Sequence, residues 1–209
     1  MLNKRQISII GGAGHVGFPL GLVFSSKGFT VKLIDKNTIN INKINSGISP
    51  FLEEGSYKLL KKMLKEKKIE ATSNIDSIKK SKFIIICIGT PIDNKLSPEI
   101  KNFLNFFKGL KKHLSKDQII IIRSSVYPGI CEKVYSIIKT KNKNLSYCPE
   151  RIVQGKSIVE LPNISQLISG VNQISVNQSS LLFKKICKKI IKVKIIEAEL
   201  IKLFSNAYR

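Results

Sequence analysis

The sequence predicts an α/β fold, a doubly wound and mostly parallel sheet with helices on both faces, and three observations predict it. Short runs rich in Ile and Val alternate with longer amphipathic stretches, the rhythm of strand and helix. Two of the runs, residues 83–88 and 118–122, are apolar nearly throughout, as strands of a parallel sheet covered on both faces should be. A glycine-rich segment, Gly12-Ala-Gly14-His-Val-Gly17, joins the first run to the first amphipathic stretch, where a dinucleotide-binding turn would sit.

Each element follows in order. A strand is expected over residues 7–10 and a helix over 16–27, stopped by Gly28. The next strand, 30–35, ends in the acidic Asp35. A helix over 51–66 carries Lys61-Lys62 on a solvated face and leads into a strand at 69–72. The apolar strand 83–88 precedes a helix over 98–114, and strand 118–123 precedes a helix over 129–139 opened by Gly129. Strands at 145–148 and 165–169, a helix at 176–191 and a strand at 192–196 complete the sheet. Residues 1–196 thus read as one cofactor-binding domain of Rossmann type. Residues 197–209 read as the first turns of a truncated central helix, with so many apolar positions (Ala198, Leu200, Ile201, Leu203, Phe204, Ala207, Tyr208) that part of its surface should need a cover.

Composition excludes several classes. With 209 residues of which 43% are hydrophobic, the chain can bury a core and is neither a disordered tail nor a collagen. Its four Cys have no C-x-x-C spacing and lie far from the two His, so neither a disulfide framework nor a metal site is expected, and a cytoplasmic location is. Residues 7–24 follow basic Lys4 and Arg5 like a signal-peptide core, but their glycines, Pro19 and His15 argue against that reading. No run reaches the length of about 20 apolar residues that a membrane helix needs. The net charge of +22 invites a nucleic-acid partner. Only four of the 36 basic residues are Arg, however, and the abundance of Lys, Ile and Asn looks like compositional bias rather than a base-reading surface.

The glycine-rich segment carries the chemistry most clearly. Gly12 would permit the tight turn, Gly14 the approach of a pyrophosphate and Gly17 the packing of helix on strand, with His15 and Val16 between them at the helix N-terminus. Asp35 would accept hydrogen bonds from ribose hydroxyls and repel a 2′-phosphate, which favours NAD over NADP, although Lys36 beside it weakens the preference. The plain alternative is a glycine-rich turn without a ligand. Gly89, Thr90 and Pro91 after the fourth strand, and Ser124 and Ser125 after the fifth, fall where a parallel sheet presents ligands, although ordinary turns use the same residues.

Six ordered stretches carry a resemblance: GGAGHVGFPLG at 11–21, SPFLEEG at 49–55, CIGTPID at 87–93, RSSVYPG at 123–129, CPERIVQGKSIVEL at 148–161 and EAELIKLFSNAYR at 197–209. In them the chain resembles the UDP-glucose/GDP-mannose dehydrogenases, and its wording is more similar to the branch acting on UDP-N-acetylmannosamine or UDP-N-acetylglucosamine. The resemblance implies NAD-dependent oxidation of a sugar C6 alcohol to the uronate for surface polysaccharide precursors, through an aldehyde and an enzyme thioester. It implies that Lys202 and Asn206, on one helix face, stabilise negative charge on the C6 oxygen. By the same likeness Glu150 assists thioester hydrolysis, Ser125 stands in place of a usual Thr, and Glu150, Arg151, Lys202, Asn206 and Arg209 contact the UDP-sugar. Each has a bland alternative: Lys202 a surface lysine, Glu150 an ion-pair partner of Arg151, Ser125 a helix cap.

One departure matters. The family's nucleophilic Cys lies in a Gly-Gly-x-Cys motif beyond the last helix, and this sequence contains no such motif; Cys148 is the one candidate substitute. The chain is therefore expected to supply the NAD-binding half of such an enzyme, with a complementing C-terminal half and a homodimer as partners. The alternative is a non-catalytic NAD-binding module or a decayed fragment.

Overall fold

The computed structural model describes residues 2–90, 100–152 and 154–208. Among them, eight strands form one sheet: β1 (Asn3–Ile10), β2 (Thr30–Ile34), β3 (Ile69–Thr72), β4 (Ser81–Ile86), β5 (Ile119–Ile122), β6 (Leu145–Tyr147), β7 (Gln166–Gly170) and β8 (Ile190–Lys192). Their order is β3-β2-β1-β4-β5-β6-β7-β8. All neighbours are parallel except β6 and β7, which are antiparallel. The helices are α1 (Gly17–Ser26), α2 (Thr38–Asn45), α3 (Ser56–Lys65), α4 (Ile100–Leu110), α5 (Ile130–Ile138), α6 (Ser157–Glu160), α7 (Gln173–Phe183) and α8 (Ile195–Ala207).

Side chains alternate across the strands, so the Ile-rich runs feed two cores. Ile7, Ile9, Ile85, Ile119 and Ile121 face one, closed by Phe18 and Leu22 of α1, Leu60 of α3 and Phe183 of α7. Ile10, Ile84, Ile86, Ile120 and Ile122 face the other, closed by Phe103 and Phe107 of α4, Val134 of α5 and Ala198 of α8. The doubly wound expectation holds, and the continuous apolar runs are what two covered faces require.

The boundaries depart from expectation where local bonds override apolar pattern. Residues 51–55 are not helical, because Gly55 takes φ +79 and starts α3 only at Ser56. The short helix α2 was not foreseen; Asn37 caps it by accepting the Asn40 N–H at 3.0 Å. Helix α7 begins earlier than residue 176, because the Asn172 side chain accepts the Ser175 N–H at 2.8 Å. The last strand is not 192–196 but Ile190–Lys192. Glu197 accepts the Lys194 N–H at 2.8 Å and turns Ile195 and Ile196, a β-favouring pair, into the first turn of α8.

Candidate functional site

Register brings the site together. Ile10 pairs with Ile34 and Ile86, Ile86 with Ile122, and Ile122 with Tyr147, so this row crosses the middle of the sheet. One residue beyond it lie Gly11, Asp35, Cys87, Arg123 and Cys148, each opening a loop at the same carboxyl edge. The chain leaves β1 for β2 on one side and places β4 on the other, which makes the crevice between β1 and β4 the topological switch point.

The glycine-rich turn is built by exclusion. Gly11 holds φ +77, and a Cβ there would meet the Cys87 carbonyl oxygen at 2.6 Å. The left-handed residue of the turn is therefore Gly11 rather than the Gly12 expected. At Gly12 a Cβ would meet the Leu33 Cα at 2.7 Å, and at Gly17 the Gly11 carbonyl oxygen at 2.3 Å, so the helix packs directly on the turn. Gly14 is different: a Cβ would find only the Gly11 oxygen, at 3.3 Å, which leaves its outer side open. The α1 N-terminus carries no side-chain cap; Pro19 has no N–H and the Phe18 N–H already donates to the Gly14 carbonyl at 3.0 Å, so a phosphate would be met by the N–H groups just before them, from His15 to Gly17.

Asp35 closes the turn. Its Oδ2 accepts the Ala13 N–H at 3.0 Å and its Oδ1 the Asn37 N–H at 3.0 Å. Asn40, which the sequence did not single out, donates to the Ala13 carbonyl at 3.2 Å. Ala13 is thus held at both backbone groups, and each Asp35 oxygen keeps a lone pair for a hydroxyl. An open glycine, an uncapped helix N-terminus and a carboxylate at the end of β2 fit a dinucleotide.

The loops after β4 and β5 are tied to each other. The Thr90 hydroxyl donates to the Ser125 carbonyl at 2.7 Å and the Ser124 hydroxyl to the Ile88 carbonyl at 2.6 Å. Both hydroxyls fix the loops that would flank a nicotinamide. Gly89 is exposed and Ser125 half-buried beside them. Pro91 and Arg209 lie outside the described residues.

Arg123, 2% exposed, is the centre of charge. Its Nε donates to Glu150 Oε2 at 2.8 Å and its Nη2 to the same oxygen. Its Nη1 donates to the Cys148 carbonyl at 3.1 Å and to Gln166 Oε1 at 2.9 Å. Burial disfavours the charged guanidinium, but the charge and hydrogen bonds of Glu150, with smaller help from Cys87 and Cys187, together hold Arg123 above its ordinary pKa. Glu150 Oε1 accepts the N–H groups of Arg151 and Ile152 at 2.7 and 3.1 Å. In this arrangement Glu150 pairs with Arg123, from 27 residues upstream, and receives four N–H donors.

Helix α8 brings the last residues. Lys202 is 7% exposed and its Nζ donates to Asn206 Oδ1 at 2.9 Å, so the two share a helix face as their spacing predicts. One turn earlier the buried Glu199 accepts the Gly129 and Cys131 N–H groups at 2.8 and 2.9 Å. That carboxylate fastens α8 to the start of α5, and no local sequence signal marks it. Cys148 is buried, and burial pushes its thiol up to about 12, with Cys87 also at about 12 and Cys187 at about 11. Cys131 is likewise raised by burial. A nucleophilic thiol needs the opposite shift.

Known proteins agree with this geometry. The NAD-binding domain of the UDP-glucose/GDP-mannose dehydrogenase family matches residues 5–190. The chain belongs to that family, and NAD is the cofactor of the matched domain. The UDP-N-acetyl-D-mannosamine dehydrogenase of Pyrococcus horikoshii is 27% identical over 98% of the chain and 50% of its own length. The UDP-glucose 6-dehydrogenase of Rickettsia prowazekii is 28% identical over 94% of the chain and 47% of its own length. The solved P. horikoshii UDP-D-ManNAc dehydrogenase superposes with a TM-score of 0.89 at 26% identity, covering 98% of this chain and 50% of that one. A UDP-glucose dehydrogenase from Pyrobaculum islandicum shares the fold, with a TM-score of 0.90 at 18% identity, over 99% of this chain and 50% of its own. The chain spans about half the length of the relatives it matches. No helix among the described residues is long and apolar enough to cross a membrane.

Proposed function

We propose that this chain is the NAD-binding half of a cytoplasmic nucleotide-sugar 6-dehydrogenase that oxidises the C6 alcohol of a UDP-N-acetylhexosamine, of UDP-N-acetylmannosamine or UDP-N-acetylglucosamine type, to the uronate. The observation that carries the reading is the meeting, at one edge of the sheet, of the glycine-rich turn clasped by Asp35 with the loop held by Arg123 and Glu150. NAD, when bound, accepts hydride from the sugar. Gly12, Gly14, His15, Val16 and Gly17 hold its pyrophosphate and Asp35 its adenosine ribose, while Gly89, Thr90, Pro91 and Ser124 line the nicotinamide half. Lys202, an ammonium donor steadied by Asn206, stabilises negative charge developing on the C6 oxygen. Ser125 orients water or substrate. Glu150, already receiving four N–H donors, serves as a fixed acceptor that orients the substrate together with Arg151 and Arg209.

None of the four thiols, each raised by burial, suits the nucleophile, so this reading assigns the Cys to a complementing C-terminal half. Residues 1–196 act as the cofactor domain and 197–209 as the start of a central helix through which the protein forms a homodimer. Calorimetric titration with NAD⁺ tests the first step. Saturable binding is expected, weakened about 10- to 100-fold in Asp35→Ala, the loss of a hydrogen bond to a charged group; equal affinity in the variant would refute the assignment of Asp35. The second step is mixing with a polypeptide that carries the Cys and sugar domain, where NADH should form on addition of the UDP-sugar. Silence with a partner of proven competence would leave a non-catalytic NAD-binding module.

A further inference from the structure

Residues 49–55 join α2 to α3 and lie against the carboxyl edge of the sheet. There they touch two segments that leave strands three positions apart and whose helices, α1 and α6, also meet in the core. Phe51 stacks on His15 of the glycine-rich turn, ring centroids 3.9 Å apart, and meets Phe18 of α1 edge-on at 5.6 Å. Two and three residues later the same segment clasps the connection from β6 to β7, at the start of α6 and in the loop before it: Glu53 Oε1 accepts the Ile158 N–H at 3.0 Å, and the Glu54 N–H donates to the Gly155 carbonyl at 2.9 Å. Strands β1 and β6 are three positions apart in the sheet, about 14 Å at the usual spacing.

The segment is braced internally. The Ser49 hydroxyl donates to the Phe51 carbonyl at 2.7 Å, the Ser56 hydroxyl to Ser49 Oγ at 3.2 Å and the Ser56 N–H to the Glu53 carbonyl at 3.1 Å. It therefore lies over the turn and the β6–β7 connection as a built piece rather than a slack connection. One feature keeps the clasp from being complete: Glu53 is 5% exposed, yet its Oε2 has no hydrogen-bond partner among the described residues. A buried carboxylate oxygen left unpaired costs free energy, so the clasp is closed but not maximally stable.

We infer that Phe51 and Glu53 are positioning residues: residues 49–55 form a strut that holds the glycine-rich turn and the loop after β6 in register, so that NAD at the turn steadies the loop bearing Glu150 and Arg151. The inference rests on the proposed reading of that second loop as the substrate loop. Its physical content is a shared opening. When the clasp opens, the strut moves, the His15–Phe51 stack is lost and the cofactor turn loses its outer wall.

Amide hydrogen exchange on the full chain tests this at Glu54 and Ile158, whose N–H groups lie on the two sides of the clasp. An opening that requires release of the cofactor slows by 1 + [NAD⁺]/Kd, about 100-fold at 100 times Kd, and an independent opening does not slow. Slowing of at least about tenfold is expected in the natural chain. Phe51→Leu and Glu53→Ala, each at 100 times its own Kd, should slow less than about twofold. Phe51→Tyr, which keeps the stack, and Glu53→Gln, which keeps an acceptor for Ile158, should behave like the natural chain. A general loss of packing would not sort the variants in this way, and should one of the two disruptive variants fail to fold by circular dichroism, the other carries the comparison. Calorimetric binding without slowing, or full slowing in Phe51→Leu and Glu53→Ala, would overturn the strut while leaving the cofactor reading intact. Absence of binding heat would overturn both.

Discussion

At the scale of single residues the site is a set of buried polar atoms whose partners are far away in sequence. Arg123 and Glu150 are the clearest pair, with Gln166 43 residues from the arginine. Removing the arginine alone leaves the Glu150 carboxylate half-buried with only its two backbone donors. Arg123→Met should therefore cost about 3–5 kcal/mol, the range for breaking a buried pair from one side. Adding Glu150→Gln should restore part of that loss, because the charge without a partner is gone, giving a coupling of about 0.5–3 kcal/mol in urea melts of the four chains. Additive losses would mean that the ion pair is incidental and that Arg123 serves only Gln166 and the Cys148 carbonyl. The sequence showed Arg123 as a member of a motif but not this role, since nothing local predicts a partner 27 residues away. Gly11 was obscured for a different reason: the spacing of the fingerprint points to Gly12, and only the approach of the Cys87 carbonyl reveals which glycine takes the left-handed turn.

Between elements, the informative contact is the one that fastens α8. The strands and the helices packed on them were legible because burial on both faces writes unbroken apolar runs, and Ile69–Thr72 was expected residue for residue. Boundaries were less legible where one side chain decides them, as Asn37, Asn172 and Glu197 do. Glu199 belongs with these, since its two N–H donors lie 70 and 68 residues upstream. A carboxylate presents two acceptors to two donors, whereas an amide of the same shape presents one acceptor and one donor. Glu199→Gln should therefore set an N–H against an N–H and cost about 1–3 kcal/mol, while preserving the packing. It should also speed amide exchange along α8 more than along α5, because α8 hangs on that contact and α5 is held by its own core residues. Equal exchange in both helices would show that α8 is fixed by its apolar contacts instead.

For the whole molecule, the two cores are closed, while among the described residues helix α8 keeps an uncovered apolar side. Ile196, Leu200 and Phe204 of α8 and Tyr208, its C-cap, recur every fourth residue, and their exposures of 46, 39, 72 and 95% make one stripe of solvent-facing apolar surface. The opposite side of the helix is the one that carries Ala198, Glu199 and Lys202, all buried. An apolar stripe of four large side chains on a single helix is the kind of surface that soluble chains cover, and the proposed homodimer covers it with the same stripe of a second copy. Such a contact is self-complementary: each residue meets its counterpart across a two-fold axis. A charge placed in the middle of it meets its own image, so Phe204→Glu should abolish association, whereas Ser205→Glu, one residue round the helix, should leave it largely intact. Sedimentation velocity over a range of concentrations distinguishes the cases. A concentration-dependent dimer that becomes a monomer only in Phe204→Glu is expected. A natural chain that stays monomeric would show that the stripe is reserved for a different polypeptide, and a dimer indifferent to Phe204→Glu would place the interface elsewhere on the surface.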